Sequence, residues 1–336
     1  MHNDLTRCQF SMNPDFVSSD SQPNASLQPD WQRQVDAWRA LLAQCSVKPS
    51  RKRIHTLRSH TLRLRALLEF AQQEQVLDSK ATRAFKRWKQ EAKKLRRVLQ
   101  PVRDADVYLF KLGYLCDPLA RANSVRSRLN PICLREIDAL ERGLNKQRQA
   151  RIGTLMSVLN VRRKRLNQLT KEMEVALAAG LSSGLRVTAE AALQAYAGMA
   201  TEFPHLNGSN LHEYRKHLKQ VLYLAEFSLK GDPKAEPLAA RFRKIHKASG
   251  DWHDWQALVG EAAHFLPARD KQNGLLPVLE VIAMRALRKA IRLCQHSANQ
   301  SVKNEGENLP PHRRKPVAPE SDCHSCYDDL SLGMSC

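Results

Sequence analysis

The chain has 336 residues with 54 Lys+Arg against 34 Asp+Glu, a formal net charge of +20, and 42% hydrophobic residues. That composition belongs to a globular protein and not a disordered one, with length enough for two domains or for one large domain built from two halves. No stretch reaches the roughly 18 uncharged apolar residues of a membrane span, and the first thirty residues, with four acids and one Arg, lack the basic and apolar regions of a secretory signal.

Residues 1–30 are rich in Ser, Asn, Asp, Gln and Pro without periodicity and are expected to form a disordered leader. From Trp31 to about Ser297 apolar residues recur at spacings of three and four and strand-like alternation is absent, so the fold class is all-α. Helix breaks are predicted at Val47–Ser50, Gln100-Pro101, Cys116–Pro118, Gly180–Gly184, Phe203-Pro204, Gly231–Pro233, Gly250 and Leu266-Pro267. Residues 299–336, carrying Pro310-Pro311, are expected to be a disordered tail. Both ends are acidic on balance, which leaves 49 Lys+Arg and 24 Asp+Glu in residues 31–298, a net charge of +25. Such a field favours polyanions: nucleic acid, anionic lipid or chains of phosphate. Of eight cysteines only Cys323 and Cys326 are closely spaced; His324 or Cys336 could complete a metal site, but the tail holds no second pair, and no metal is expected.

The helical region repeats itself. Ile54-His55-Thr56-Leu57-Arg58 and Leu211-His212-Glu213-Tyr214-Arg215 share apolar-His-x-x-Arg, 157 residues apart. Gln100-Pro101-Val102-Arg103-Asp104 parallels Gly250-Asp251-Trp252-His253-Asp254, 150 residues apart. Two landmarks in one order at nearly one offset imply duplicated halves, about 31–178 and 186–298. Each second landmark is expected to open a helix, with its Asp in the first turn.

At about 100° per residue, Arg58 and Arg215 each fall at about 300° from the histidine of their own helix, and the apolar stripes of both helices fall at about 180–240°. Arg51 and Arg65 join the first cationic stripe, and Lys216, Lys219 and Tyr223 the second. An ordinary exposed helix mixes signs, because like charges at helical spacing repel. Residues 48–103 instead hold seventeen Lys/Arg and four acids, which favours a polyanion-binding face over a snorkelling basic surface. Lys94 and Arg97, one turn apart, are added as contacts from charge and spacing.

Residues Ile54–Ala66 resemble the V-H-x-L-R-V-x-x-R-R-L-R helix of the CHAD family, the conserved-histidine α-helical domain. Leu99–Val107 is similar to its L-G-P-V-R-D-x-D-V, His212–Tyr223 to its H-x-x-R-K-x-x-K-R-L-R-Y, and Gly250–Asp254 to its G-D-x-H-D. Leu62, Gln100, Val221-Leu222 and Ser249 depart from those patterns. The resemblance covers about 31–298. It implies two helical bundles related by a pseudo-twofold, with a basic groove or pore that threads inorganic polyphosphate, and association with polyphosphate granules. Carried over position by position, His55, Arg58, Arg63, Arg65, Arg103, His212, Arg215, Lys216, Lys219 and His253 are the implied phosphate contacts, with Asp104 and Asp254 as orienting or helix-start residues. Arg forks suit phosphate oxygens, and Lys and protonated His supply point charge. A polyphosphate presents no bases, so a lining without stacking aromatics is expected to suffice.

Two other readings compete. His253-Asp254 is the dipeptide of metal-dependent phosphohydrolases, but Arg103-Asp104 holds the same step in the first half, and a ligand-to-cation exchange favours anion contact. Glu172-Met173-Glu174 and Glu305-Gly306-Glu307 lack the lysine of a triphosphate-tunnel strand. No catalysis and no cofactor are expected, and a cytoplasmic location is expected. The stronger rival is non-specific nucleic-acid binding, which the net charge alone would support at low salt.

Overall fold

In a computed structural model the chain is described over residues 30–75, 77–116, 129–181, 187–228, 234–266 and 274–307. These residues form eight α-helices and no strand: α1 (Asp30–Val47), α2 (Arg51–Gln73), α3 (Ser79–Cys116), α4 (Pro131–Leu181), α5 (Ala189–Glu202), α6 (Leu211–Ser228), α7 (Ala235–Phe265) and α8 (Leu275–Glu307). Side-chain caps set several starts. Ser50 accepts from the Arg53 backbone N–H ahead of α2, Asp78 from Ala81 ahead of α3, Asn130 from Cys133 ahead of α4, and Thr188 from Ala191 ahead of α5. Gln75, with φ of 56°, turns the chain between α2 and α3, a break absent from the sequence expectations.

Two expected breaks are not breaks. Pro101 lies inside α3 and Gly250 inside α7, each helix running on without interruption. A proline within a helix costs about 3 kcal/mol and a glycine about 1 kcal/mol. Leu99 and Val102 are fully buried beside Pro101, and Ser249 and Trp252 are buried beside Gly250, so packing outweighs local preference. Asp104 and Asp254 are therefore mid-helix residues and not helix starts. The last helix continues to Glu307, through residues expected to belong to the tail. Glu172 and Glu174 lie in α4, where they pair with Arg87 and Arg39. The expected breaks at 117–118, 182–184, 231–233 and Pro267, the leader, residues 308–336 and Cys323/Cys326 lie outside the described residues.

At about 1.5 Å per residue α3 and α4 are about 57 and 77 Å long, too long for one core. The first core gathers α1, α2, the Phe85–Val102 part of α3 and the Leu155–Met173 part of α4 around Trp38 and Trp88. The second gathers α5–α8 but also takes Leu112 and Leu115 of α3 and Ile137, Leu140 and Leu144 of α4. The two long helices thus cross from one core into the other, so the packing does not divide where the sequence repeat does. Between the first four helices and the last four, α2 packs on α6, α3 on α7, and α4 on both α7 and α8. No helix among the described residues is long and apolar enough to cross a membrane.

Candidate functional site

A cavity of about 1440 Å³ lies between α2, α3, α6 and α7, with α8 closing one side. From α2 it receives His55, Arg58, Arg63 and Arg65, and from α6 His212, Arg215, Lys216 and Lys219. Arg103 of α3 and His253 of α7 complete the ten sequence-derived contacts that line it. Lys94 and Arg97 do not. Both are exposed on α3, and Lys94 pairs with Glu91 at 2.7 Å, a carboxylate also held by Arg162 of α4 at 2.7 Å. The cavity face of α3 runs through Arg96, Gln100 and Arg103 to Phe110 and Tyr114. Arg97 is turned about 100° from Arg96, and Lys94 about 160°.

Some of these cations already have acids. Arg63 donates to Glu226 at 3.0 Å, Arg65 to Glu69 at 2.9 Å and Lys216 to Glu213 at 2.6 Å. Arg103, with its side chain 12% exposed, donates to Asp104 at 3.0 Å and across the halves to Asp254 at 3.1 Å. Burial opposes the charge on Arg103, but these two carboxylates more than offset it and raise its pKa. Gln100 also donates to Asp104 at 2.7 Å. The aspartates hold Arg103 in place.

Arg58, Arg215 and Lys219 differ: among the described residues none has an acid within ion-pair distance. The Nε atoms of Arg58 and Arg215 are buried with no hydrogen-bond partner. Burial, then the fields of Arg103, Arg96 and Arg215, bring the Arg58 pKa down to about 10 despite Asp104. Arg215 is lowered by burial and by Arg103, against Asp254. Lys219 is lowered well below its ordinary value, by burial and then by Arg58, Arg215, Arg103 and Arg96. It is open to the cavity but crowded by protein, with its ammonium 5.7 Å from the Tyr223 ring centre. Three half-open cations facing one space without counter-charge raise one another's free energy, and an anion among them lowers it.

The histidines feel the same field. Burial and Arg215 bring His253 down to about 4, with its ring centre 4.7 Å from that of His212. His212 is lowered by burial and Lys216, and His55 by burial, Arg103, Lys219 and Arg58. His246 of α7 was not anticipated. Burial, Lys219 and Arg215 bring it to about 3, and its Nε2 is buried without a partner. The signal was available: His246 stands 150 residues after Arg96, the same offset that relates His253 to Arg103. Lys244, Lys247 and Lys289 also line the cavity without an acid partner among the described residues. Aromatic rings also contribute to the lining, through Phe110, Tyr114, Tyr223 and Trp255.

The arrangement defines an all-α protein with a cation-lined cavity between two cores. The chain belongs to the CHAD family, whose CHAD domain matches residues 29–263. Membership suggests a function connected with polyphosphate. The solved structure of PptA from Streptomyces chartreusis has a similar fold, with a TM-score of 0.54 at 16% identity over 81% of this chain and 99% of that one. No curated protein matches the chain.

Proposed function

We propose that the chain binds inorganic polyphosphate without catalysis, in the cavity between α2, α3, α6 and α7, and through it associates with polyphosphate granules in the cytoplasm. The observation that carries this reading is the group formed by Arg58, Arg215 and Lys219, drawn from both halves, facing one space without carboxylates to neutralise them. Phosphate oxygens would accept from the unpartnered guanidinium N–H groups, and a chain of phosphates would meet His55, His212 and His253 on its way. Duplicated halves are part of the proposal, supported by α2 packing on α6 and α3 on α7. One observation supports binding without catalysis: Asp254, which a metal-dependent phosphohydrolase would use as a ligand, is engaged with Arg103.

Competition tests the ligand. At ~150 mM salt, where long-range surface attraction is screened, labelled long-chain polyphosphate is expected to resist displacement by DNA at equal phosphate equivalents. Ready displacement would transfer the site to nucleic acid.

A further inference from the structure

Inorganic polyphosphate offers nothing to a ring face, yet one part of the cavity is aromatic. Phe110 and Tyr114, one turn apart on α3, are each 44% exposed and both line the cavity. They are the only aromatic residues among the exposed large hydrophobics described, so among the described residues ring exposure is concentrated at the site. The Arg51 guanidinium lies 4.8 Å from the Phe110 ring centre, covering one face and leaving the rest of the ring open. Lys111, between the two rings in sequence, is buried and held by Asp251 with its ammonium 4.6 Å from the Trp255 ring centre, which fixes this turn of α3. Arg103 precedes Phe110 by seven residues, about 10 Å along the helix. That is the reach from a base to the far phosphates of a nucleotide.

We propose, building on the polyphosphate reading, that the cavity also takes nucleoside polyphosphates, with the base stacked on Phe110 and Tyr114 and the phosphate chain laid toward Arg103, Arg58 and Arg215. Bases stack on aromatic rings and on guanidinium planes regardless of sequence, so the shelf selects for the presence of a base and not for its identity. The cationic floor supplies the phosphate affinity, and the shelf adds a preference for phosphate chains that end in a nucleobase.

The test uses the full chain and three probes at ~150 mM salt: ATP, inorganic tripolyphosphate and long-chain polyphosphate, titrated calorimetrically. The wild type is expected to bind ATP at least as tightly as tripolyphosphate, although the nucleotide carries less charge on the same number of phosphates. Phe110→Ala combined with Tyr114→Ala is expected to weaken ATP about tenfold and to leave tripolyphosphate within about twofold. Phe110→Trp, keeping a ring, is expected to retain ATP binding. If ATP binds more weakly than tripolyphosphate and ring removal changes neither, the shelf is overturned while polyphosphate binding stands. If the wild type fails to bind long-chain polyphosphate, the underlying reading fails and the inference with it. Both rings are exposed and neither belongs to either core, and helix content by circular dichroism checks that the variants keep the fold.

Discussion

Arg103 and His253 stand at matching places in two similar stretches of sequence, 150 residues apart, and the structure supports them differently. Arg103 is clamped by Asp104 of its own helix and Asp254 of the other half, so its charge is permanent and its position fixed. His253 sits against His212 in the field of Arg215, and its proton is held off until the pH falls to about 4. Arg96 and His246 show the same exchange one step earlier: a guanidinium in the first half, an imidazole kept neutral in the second. One wall of the cavity is thus charged at any physiological pH. At the other the imidazoles of His246 and His253 stay neutral, and the charge there comes from Arg215, Lys216 and Lys219. The contrast teaches that similar motifs need not give similar electrostatics once their partners differ.

The strongest way to break this comparison is to reverse the element the halves share. Arg58→Glu with Arg215→Glu is expected to weaken long-chain polyphosphate binding by at least about a hundredfold, since four units of charge change inside a partly enclosed site. Helix content should be unchanged. Affinity that survives would move the site away from α2 and α6.

A smaller effect sharpens the difference between the walls. Without ligand, His246, His253, His212 and His55 have folded pKa values below their unfolded value of about 6.5, so the unfolded chain binds more protons in the window beneath it. Stability should therefore be fully present above about pH 6.5 and fall as the pH is lowered toward about 4, where His253 protonates. Bound polyphosphate acts in the opposite sense by raising these pKa values. Binding is expected to take up protons and to tighten several-fold from pH 8 to pH 6. Calorimetry in buffers of different ionisation enthalpy reads the proton uptake. His212→Gln with His253→Gln should remove most of it, whereas a flat profile would make the imidazoles structural.

The smallest effect separates lysines at matching steps. Lys244 and Lys247 line the cavity, whereas Lys94 and Arg97, 150 residues earlier, lie outside it. Neutralising the second-half pair to Gln is expected to weaken binding a few-fold and to flatten its salt dependence. The same change at Lys94 and Arg97 should alter affinity by less than about twofold. Equal losses would mean that the outer face of α3 binds phosphate as well.

The helical period and the paired His-x-x-Arg segments were legible because each is local: side chains three apart share a face whatever the fold does elsewhere. Placement of Lys94 and Arg97 failed on rotation, since charge density along a sequence does not say which of two adjacent residues, Arg96 or Arg97, turns inward. Pro101 and Gly250 misled because local breakers were weighed without the buried neighbours that hold α3 and α7 continuous. The clamp on Arg103 joins residues 151 positions apart and could be seen only once α3 met α7. The exposure of Phe110 and Tyr114 was hidden for the same reason, because a low aromatic fraction says nothing about where the few rings gather.

The rods α3 and α4, each anchored at opposite ends in different cores, act as splints across the molecule. Jaws joined by a linker can swing; bodies skewered by two continuous helices cannot open far without tearing hydrophobic contacts from one of them. The mouth between them keeps a fixed gauge, so an extended guest enters end-on or along its length and is not seized by closure. A cut between residues 181 and 187 would leave the first interior whole but take Leu112, Leu115, Ile137, Leu140 and Leu144 away from the second, so the later fragment could not close its core alone.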